Sequence, residues 1–309
     1  MQRFIGLLAF AVLGMLAATN ATAIDFPQSP IDLPSEDPLI IACRAGDIDQ
    51  VQRLVELGVS LNSADKNGLF PLLIAVYKGN LPLVRYLLSD GADVNYQTFH
   101  GPAINGSKTE ETALFLLESG ADLNLHIRNE GDRLVSHLLF FKAAGCGWNQ
   151  LLAKVFESVI GPDIRNYNGR TPLFAAAGGG RLETMEILLG WGAQVDATDE
   201  RGLTPLSDAC FRRQLKAAKA LIAAGADPSH QTKSGKTVLT VTVSRCWNPL
   251  INYRERDNMP ILELLMESGA IMERETLTRL QNTRTCQAEY QFLKDGFERR
   301  SAALNTSAD

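Results

Sequence analysis

The chain has 309 residues, 35 of them acidic and 30 basic, for a formal net charge of −5 at neutral pH. That balance argues against a nucleic-acid partner, for which a basic stripe is expected. Five cysteines in a chain of this length are too sparse for a disulfide-built scaffold, so folding must rest on an apolar core.

The first 23 residues read as a secretory signal peptide. Arg3 gives the positive start, Phe4 to Ala18 is apolar, and Ala21-Thr22-Ala23 has the small-x-small form of a cleavage site. The apolar run is shorter than the roughly 20 residues a spanning helix needs. The expectation is an exported protein, periplasmic or secreted, with no stable membrane insertion once the signal is cut. Residues 24–36 hold three prolines and read as an extended arm.

From residue 37 to 271 one beat recurs. A glycine closes an apolar, helix-like run at Gly58, Gly91, Gly120, Gly161, Gly192, Gly225 and Gly269, at intervals of 33, 29, 41, 31, 33 and 44. In the unit from Asn67, Gly68 makes a turn, Pro71 opens a helix and Gly79-Asn80 breaks it. Leu83, Val84, Leu87 and Leu88 then share one face of a second helix, which Gly91 ends. Thr171 and Thr204 precede prolines as N-caps. The middle units, around 98–161, are degenerate, and the last carries an insertion around 247–257. A stack of such units has an apolar end that a polar element must close. Residues 272–300 supply it as a helical cap, and 301–309 read as a disordered tail.

Thr171-Pro172-Leu173-Phe174-Ala175-Ala176, Thr204-Pro205-Leu206-Ser207-Asp208-Ala209 and Phe70-Pro71-Leu72-Leu73-Ile74-Ala75 resemble the helix opening of ankyrin repeats. The second-helix runs Leu87 to Asn95, Leu188 to Asp196 and Leu221 to Asp227 are similar to the family's other half. The resemblance implies an all-α fold, an ankyrin-type α-solenoid of about seven helix-turn-helix units with β-hairpin loops.

Little in the chain points to chemistry. Ser234-Gly235-Lys236-Thr237 ends like a phosphate loop, but His230 stands where that motif needs glycine. Gly180 matches Gly79 and Gly46 at the break between paired helices, and Gly178 and Gly179 should leave a bare surface ahead of it. His100, His126 and His230 fall in inter-unit loops, and His137 in an apolar helix. Asp and Glu are scattered, as on solvated helix surfaces. No HExxH, CxxC or GxSxG pattern occurs, so no catalytic residue, cofactor or metal is expected. Cys43 and Cys210 fall at equivalent small-residue core positions. Cys246 and Cys286 could bridge the last unit to its cap or remain two thiols. Asn105-Gly106-Ser107 and Asn305-Thr306-Ser307 match the glycosylation pattern, which matters only in a eukaryotic cell.

In ankyrin-like stacks, partners bind loop tips and the first-helix face, which line a concave groove. Carried onto this sequence, that implies a partner-binding set of Arg44, Tyr77, Lys78, Phe99, His100, Tyr167, Phe211, Arg212, Arg245 and Trp247. Exposed aromatic and arginine side chains are what interface hot spots favour. The expected function is a non-catalytic protein-binding module in the periplasm or outside the cell. Two narrower forms stay open: an immunity-type inhibitor of a toxic enzyme, or an accessory factor for a periplasmic enzyme or envelope assembly.

Overall fold

The computed structural model describes residues 37–127, 133–244, 258–283 and 286–306. The expected signal peptide, the 24–36 arm and the 247–257 insertion lie outside them, as do Arg245, Cys246 and Trp247. The described residues form two compact units. One runs to Asp122 and includes Ile127; the other holds Leu123–His126 and everything from 133 onward.

The first unit contains α1 (Pro38–Ala45), α2 (Ile48–Glu56), α3 (Pro71–Lys78), α4 (Leu81–Ser89) and α5 (Glu110–Glu118). The second contains α6 (Val135–Cys146), α7 (Asn149–Phe156), α8 (Pro172–Gly179), α9 (Leu182–Gly190), α10 (Pro205–Phe211), α11 (Leu215–Ala223), α12 (Val238–Val243) and α13 (Met259–Glu267). It ends in α14 (Arg274–Gln281) and α15 (Gln287–Thr306).

The two helices of a pair bury different amounts, and the sequence says why. First helices are short and apolar almost all round: in α3 every residue from Pro71 to Val76 is buried. Second helices bury one stripe, such as Leu83, Val84 and Leu87 in α4 or Ala217, Ala218 and Leu221 in α11. That is the pattern of an inner helix sandwiched between neighbours and an outer helix with one face in water. Between the helices the chain takes one left-handed residue, Gly46, Gly79, Gly147 or Gly180. After α10 that role falls to Arg213, at φ 61°, a conformation that is costly with a side chain. Arg213 Nε donates to Asn258 Oδ1 at 2.6 Å, and Asn258 Nδ2 donates to Glu289 Oε1 at 3.4 Å. The arginine thereby ties its turn to the start of α13 and to α15.

Two departures from regularity are local. Where a first helix is missing, β1 (Gln97–Thr98) and β2 (Gly101–Pro102) pair antiparallel, and a single 3-10 turn, Ala103–Gly106, fills the place. The long unit spends its extra length on α6, which has 12 residues against 8 in α8. Stacked rings of Phe140, Phe156 and Trp191 fill the space beside it, Phe156 and Trp191 with centroids 4.0 Å apart.

Successive units are also laced along one edge. In the first unit, Asn62 accepts from the Asp93 amide and Asn95 from the Asp122 amide. In the second, Asp163 accepts from the Gln194 amide and Asp196 from the Asp227 amide. The cap joins through Glu273. Burial pushes its carboxyl up, but the Thr240 and Thr276 hydroxyls and the Thr237 amide donate to it and hold it below the usual range. At the C-terminal side α15 runs to Thr306.

Candidate protein-interaction site

Three hairpin tips of the second unit are each built on one polar side chain. Asn166 Oδ1 accepts from the amides of Asn168 and Arg170, and Asp199 Oδ1 from those of Arg201 and Leu203. Thr232 Oγ1 accepts from the Lys236 amide. These three lie 33 residues apart, and each turn closes on a glycine amide, Gly169, Gly202 or Gly235. Neighbouring tips are bonded to one another. The Glu200 amide donates to Asn168 O at 3.0 Å, and that of Lys233 to Arg201 O at 3.1 Å. Arg165 Nη1 reaches Gly169 O and Thr198 O, both at 2.6 Å.

The tips and the first helices frame a cavity of about 280 Å³. Arg170, Arg201, Arg212 and Lys236 line it, with Asp208 at the base and Leu203, Phe211 and Val241 on the walls. An ion-pair chain fixes the arginines. Arg170 Nε lies 3.3 Å from Asp199 Oδ2 and Arg170 Nη1 3.2 Å from Asp208 Oδ1. Arg212 Nε donates to Asp208 Oδ2 at 2.8 Å, and Arg201 Nη2 sits 3.6 Å from Asp199. The two carboxylates are buried, with side chains 1% and 6% exposed, whereas Arg212 is 52% exposed and Arg201 71%. The Arg170 guanidinium also lies over the Phe174 ring, 5.4 Å from its centroid. A second cavity, of about 300 Å³, shares Arg170, Asp208 and Arg212 and is floored by Gly145, Gly178 and Gly179.

Several expectations change. The aspartates are not all solvated: Asp199 and Asp208 are buried and organise the arginines. Gly178 and Gly179 do leave a bare floor, but packing requires it. A Cβ on Gly178 would lie 2.5 Å from Asp208 Oδ2, and one on Gly179 2.6 Å from Gly145 O. Thr204 caps α10 with Ser207 in a reciprocal box, whereas Thr171 makes no side-chain cap bond and its buried Oγ1 has no partner. In the Asn105 sequon, Ser107 is fully buried and Asn105 half-buried.

The sequence-expected partner residues divide between the units. Phe211 and Arg212 meet in the 280 Å³ cavity, and Tyr167 stands 71% exposed at its own hairpin tip. In the first unit Arg44 pairs with Asp65 at 2.8 Å, Lys78 is exposed, and the partly exposed Tyr77 ring covers Gly106. Phe99 lies against Gly68, and His100 Nε2 is 2.9 Å from Asn67 O, so both stitch one loop to the preceding one. His230 Nε2 does the same to Gly202 O at 3.0 Å. Sequence reasoning missed Arg170, Asp208 and Lys236. For Arg170 and Lys236 the signal was available in the column 170, 203, 236, the residue before each of three helix-opening threonines, all of which line the cavity.

The described cysteines stand in three environments. Burial pushes the Cys43 and Cys210 thiols up to about 12, so both are protonated core groups at neutral pH. Cys146 is a free, exposed thiol, and Cys286 is disulfide-bonded. No group of three or more metal-ligating side chains occurs among the described residues, and no described helix is long and apolar enough to cross a membrane.

A family model for ankyrin repeats, in three copies, matches residues 15–98 and 103–232. The chain is an ankyrin-repeat protein. It is 32% identical to the ankyrin repeat protein YahD of Escherichia coli K12 over 209 residues, 63% of this chain and 98% of YahD. It is 31% identical to the palmitoyltransferase AKR1 of Lachancea kluyveri, matching 67% of this chain but only 29% of that enzyme's length. Among solved structures it is similar to a chain of the complex between Bd0816, a predatory endopeptidase of Bdellovibrio bacteriovorus, and immunity protein Bd3460. That match has a TM-score of 0.52 and 25% identity, covering 62% of this chain and 99% of that one. Ankyrin repeats mediate protein–protein interaction, and the fold is generally a non-catalytic module.

Proposed function

We propose that this ankyrin-repeat protein is an exported, non-catalytic binding module that grips a protein partner with the hairpin tips and first-helix face of its second unit. The observation that carries the reading is a formed cavity in which the half-buried Phe211 ring stands beside the exposed Arg212, whose guanidinium the buried Asp208 carboxylate holds in place. A preorganised arginine–aromatic patch loses little conformational entropy on binding, which is how hot spots gain affinity. Export is supported by the signal-like first 23 residues and by the disulfide at Cys286, a bond that persists in oxidising compartments. Its partner on this reading is Cys246. Non-reducing peptide mapping should find the two segments linked, and alkylation of both thiols without reductant would sink the pairing.

The likeness to a chain of an endopeptidase–immunity protein complex favours a second, narrower form, an inhibitor of an exported enzyme. Both forms predict capture of a protein from the periplasm of the source cell on the chain lacking residues 1–23. The variants Phe211→Ala and Arg212→Ala should each weaken capture about ten-fold or more, the size of a hot-spot truncation. Undiminished capture by both would show that this face is not the binding face. Loss of the captured protein's catalytic activity on binding selects the inhibitor form; unchanged activity rejects it.

A further inference from the structure

The 280 Å³ cavity is lined by more basic than acidic side chains. Arg170, Arg201, Arg212 and Lys236 line it, while the carboxylates within reach are Asp208 and the more deeply buried Asp199. Four cations against two anions leave a local positive excess in a protein of net charge −5. The arrangement is also directional. Arg170 spends Nε and Nη1 on the two aspartates, and Arg212 spends Nε on one, so the acidic pairs hold the inner edges of both guanidinium groups. Each guanidinium has five donors in a planar fork, so the remaining Nη groups are left to a ligand.

We infer that this cavity is a carboxylate receptor: it takes an acidic residue of the protein partner, with the arginines as its fork and Lys236 as a second point charge. The inference rests on the binding-module reading and adds the partner's chemistry to it. The apolar wall at Phe211 suits the methylene stem of a glutamate or the end of a chain, whereas inorganic phosphate or a nucleic-acid backbone offers nothing to bury there. A glutamate side chain and a free C-terminal carboxylate present the same two oxygens, and the test separates them.

Fluorescence anisotropy of the full mature chain with labelled nonapeptides provides that test. One peptide carries a central Glu-Leu-Glu and an amidated end, a second has Gln-Leu-Gln and an amidated end, and a third has Gln-Leu-Gln with a free terminal carboxylate. At low ionic strength at least one carboxylate peptide should bind about ten-fold or more tightly than the amidated glutamine peptide, and the tighter one names the source. Arg212→Gln and Lys236→Gln, at exposed positions, should each erase most of that preference while leaving far-UV circular dichroism unchanged. Equal binding of all three peptides overturns the inference, as does a preference that survives both substitutions or tighter binding of inorganic phosphate. The two readings fail separately. Partner capture lost in Phe211→Ala but untouched in Arg212→Gln and Lys236→Gln removes the receptor and keeps the module. A carboxylate preference with no captured partner does the reverse.

Discussion

Asp208→Asn is expected to lower the stability of the second unit by about 3 kcal/mol, a fall of roughly 6–12 °C in melting temperature. The change is isosteric, so packing is preserved and the effect isolates charge. Asp208 divides its oxygens between Arg170 Nη1 at 3.2 Å and Arg212 Nε at 2.8 Å, with its side chain 6% exposed. An amide presents one oxygen and one NH2, so one guanidinium would face a donor in a site that water barely reaches. Arg170, 20% exposed, has only Asp199 left as an anionic partner and cannot swing fully into solvent. Removing the other member of the pair is a different matter. Arg212 is half exposed, and Arg212→Gln should cost about 1 kcal/mol or less. Thermal melts of both variants decide between an organising carboxylate and an ordinary surface pair. Equal small losses would mean that Asp208 holds nothing in place.

The fold was legible in the sequence to the extent that it is written locally. Pro71, Gly79 and Gly91 punctuate a helix pair whose apolar spacing is set within one unit, and the same punctuation recurs near Pro172 and Pro205. The missing first helix at Ala103–Gly106 was visible as a loss of that pattern, though not as a hairpin with one 3-10 turn. What resisted reading depends on neighbours about one repeat away. Asp208 reads as a charged helix residue until Arg170, one hairpin earlier, is placed against it. His100 and His230 read as loop histidines until the carbonyls of Asn67 and Gly202 are set beneath them. Gly178 and Gly179 read as a bare surface, but the reason they must be glycine lies in Asp208 and Gly145. The column of Arg170, Leu203 and Lys236 marks the remedy: in a stack, residues one period apart should be read as neighbours.

Two glycines one period apart test whether hairpin stacking, and not turn geometry alone, stabilises the tips that carry the cavity's cations. Gly202 and Gly235 close equivalent turns at φ 79° and 73°, so alanine meets similar backbone strain at both, about 1 kcal/mol. Their surroundings differ. A Cβ on Gly202 would lie 2.7 Å from Lys233 N and 3.2 Å from Thr232 C, backbone atoms of the next hairpin, whereas nothing lies within 4 Å of one on Gly235. The clash at Gly202 has no cheap escape, because Lys233 N is already donating to Arg201 O and moving it breaks that bond. Gly202→Ala should therefore cost about 3 kcal/mol, the strain plus an overpacking penalty of roughly 1–3 kcal/mol, and Gly235→Ala only about 1. Urea denaturation of the two variants measures the difference directly. A displaced tip also carries Arg201 and Lys236 away from Arg170 and Arg212, so Gly202→Ala should weaken carboxylate-peptide binding as well as stability, while Gly235→Ala leaves the stacking of the tips intact. Equal costs at the two glycines would mean that each hairpin stands alone, and that the cations of the cavity are not held in register by one another's loops.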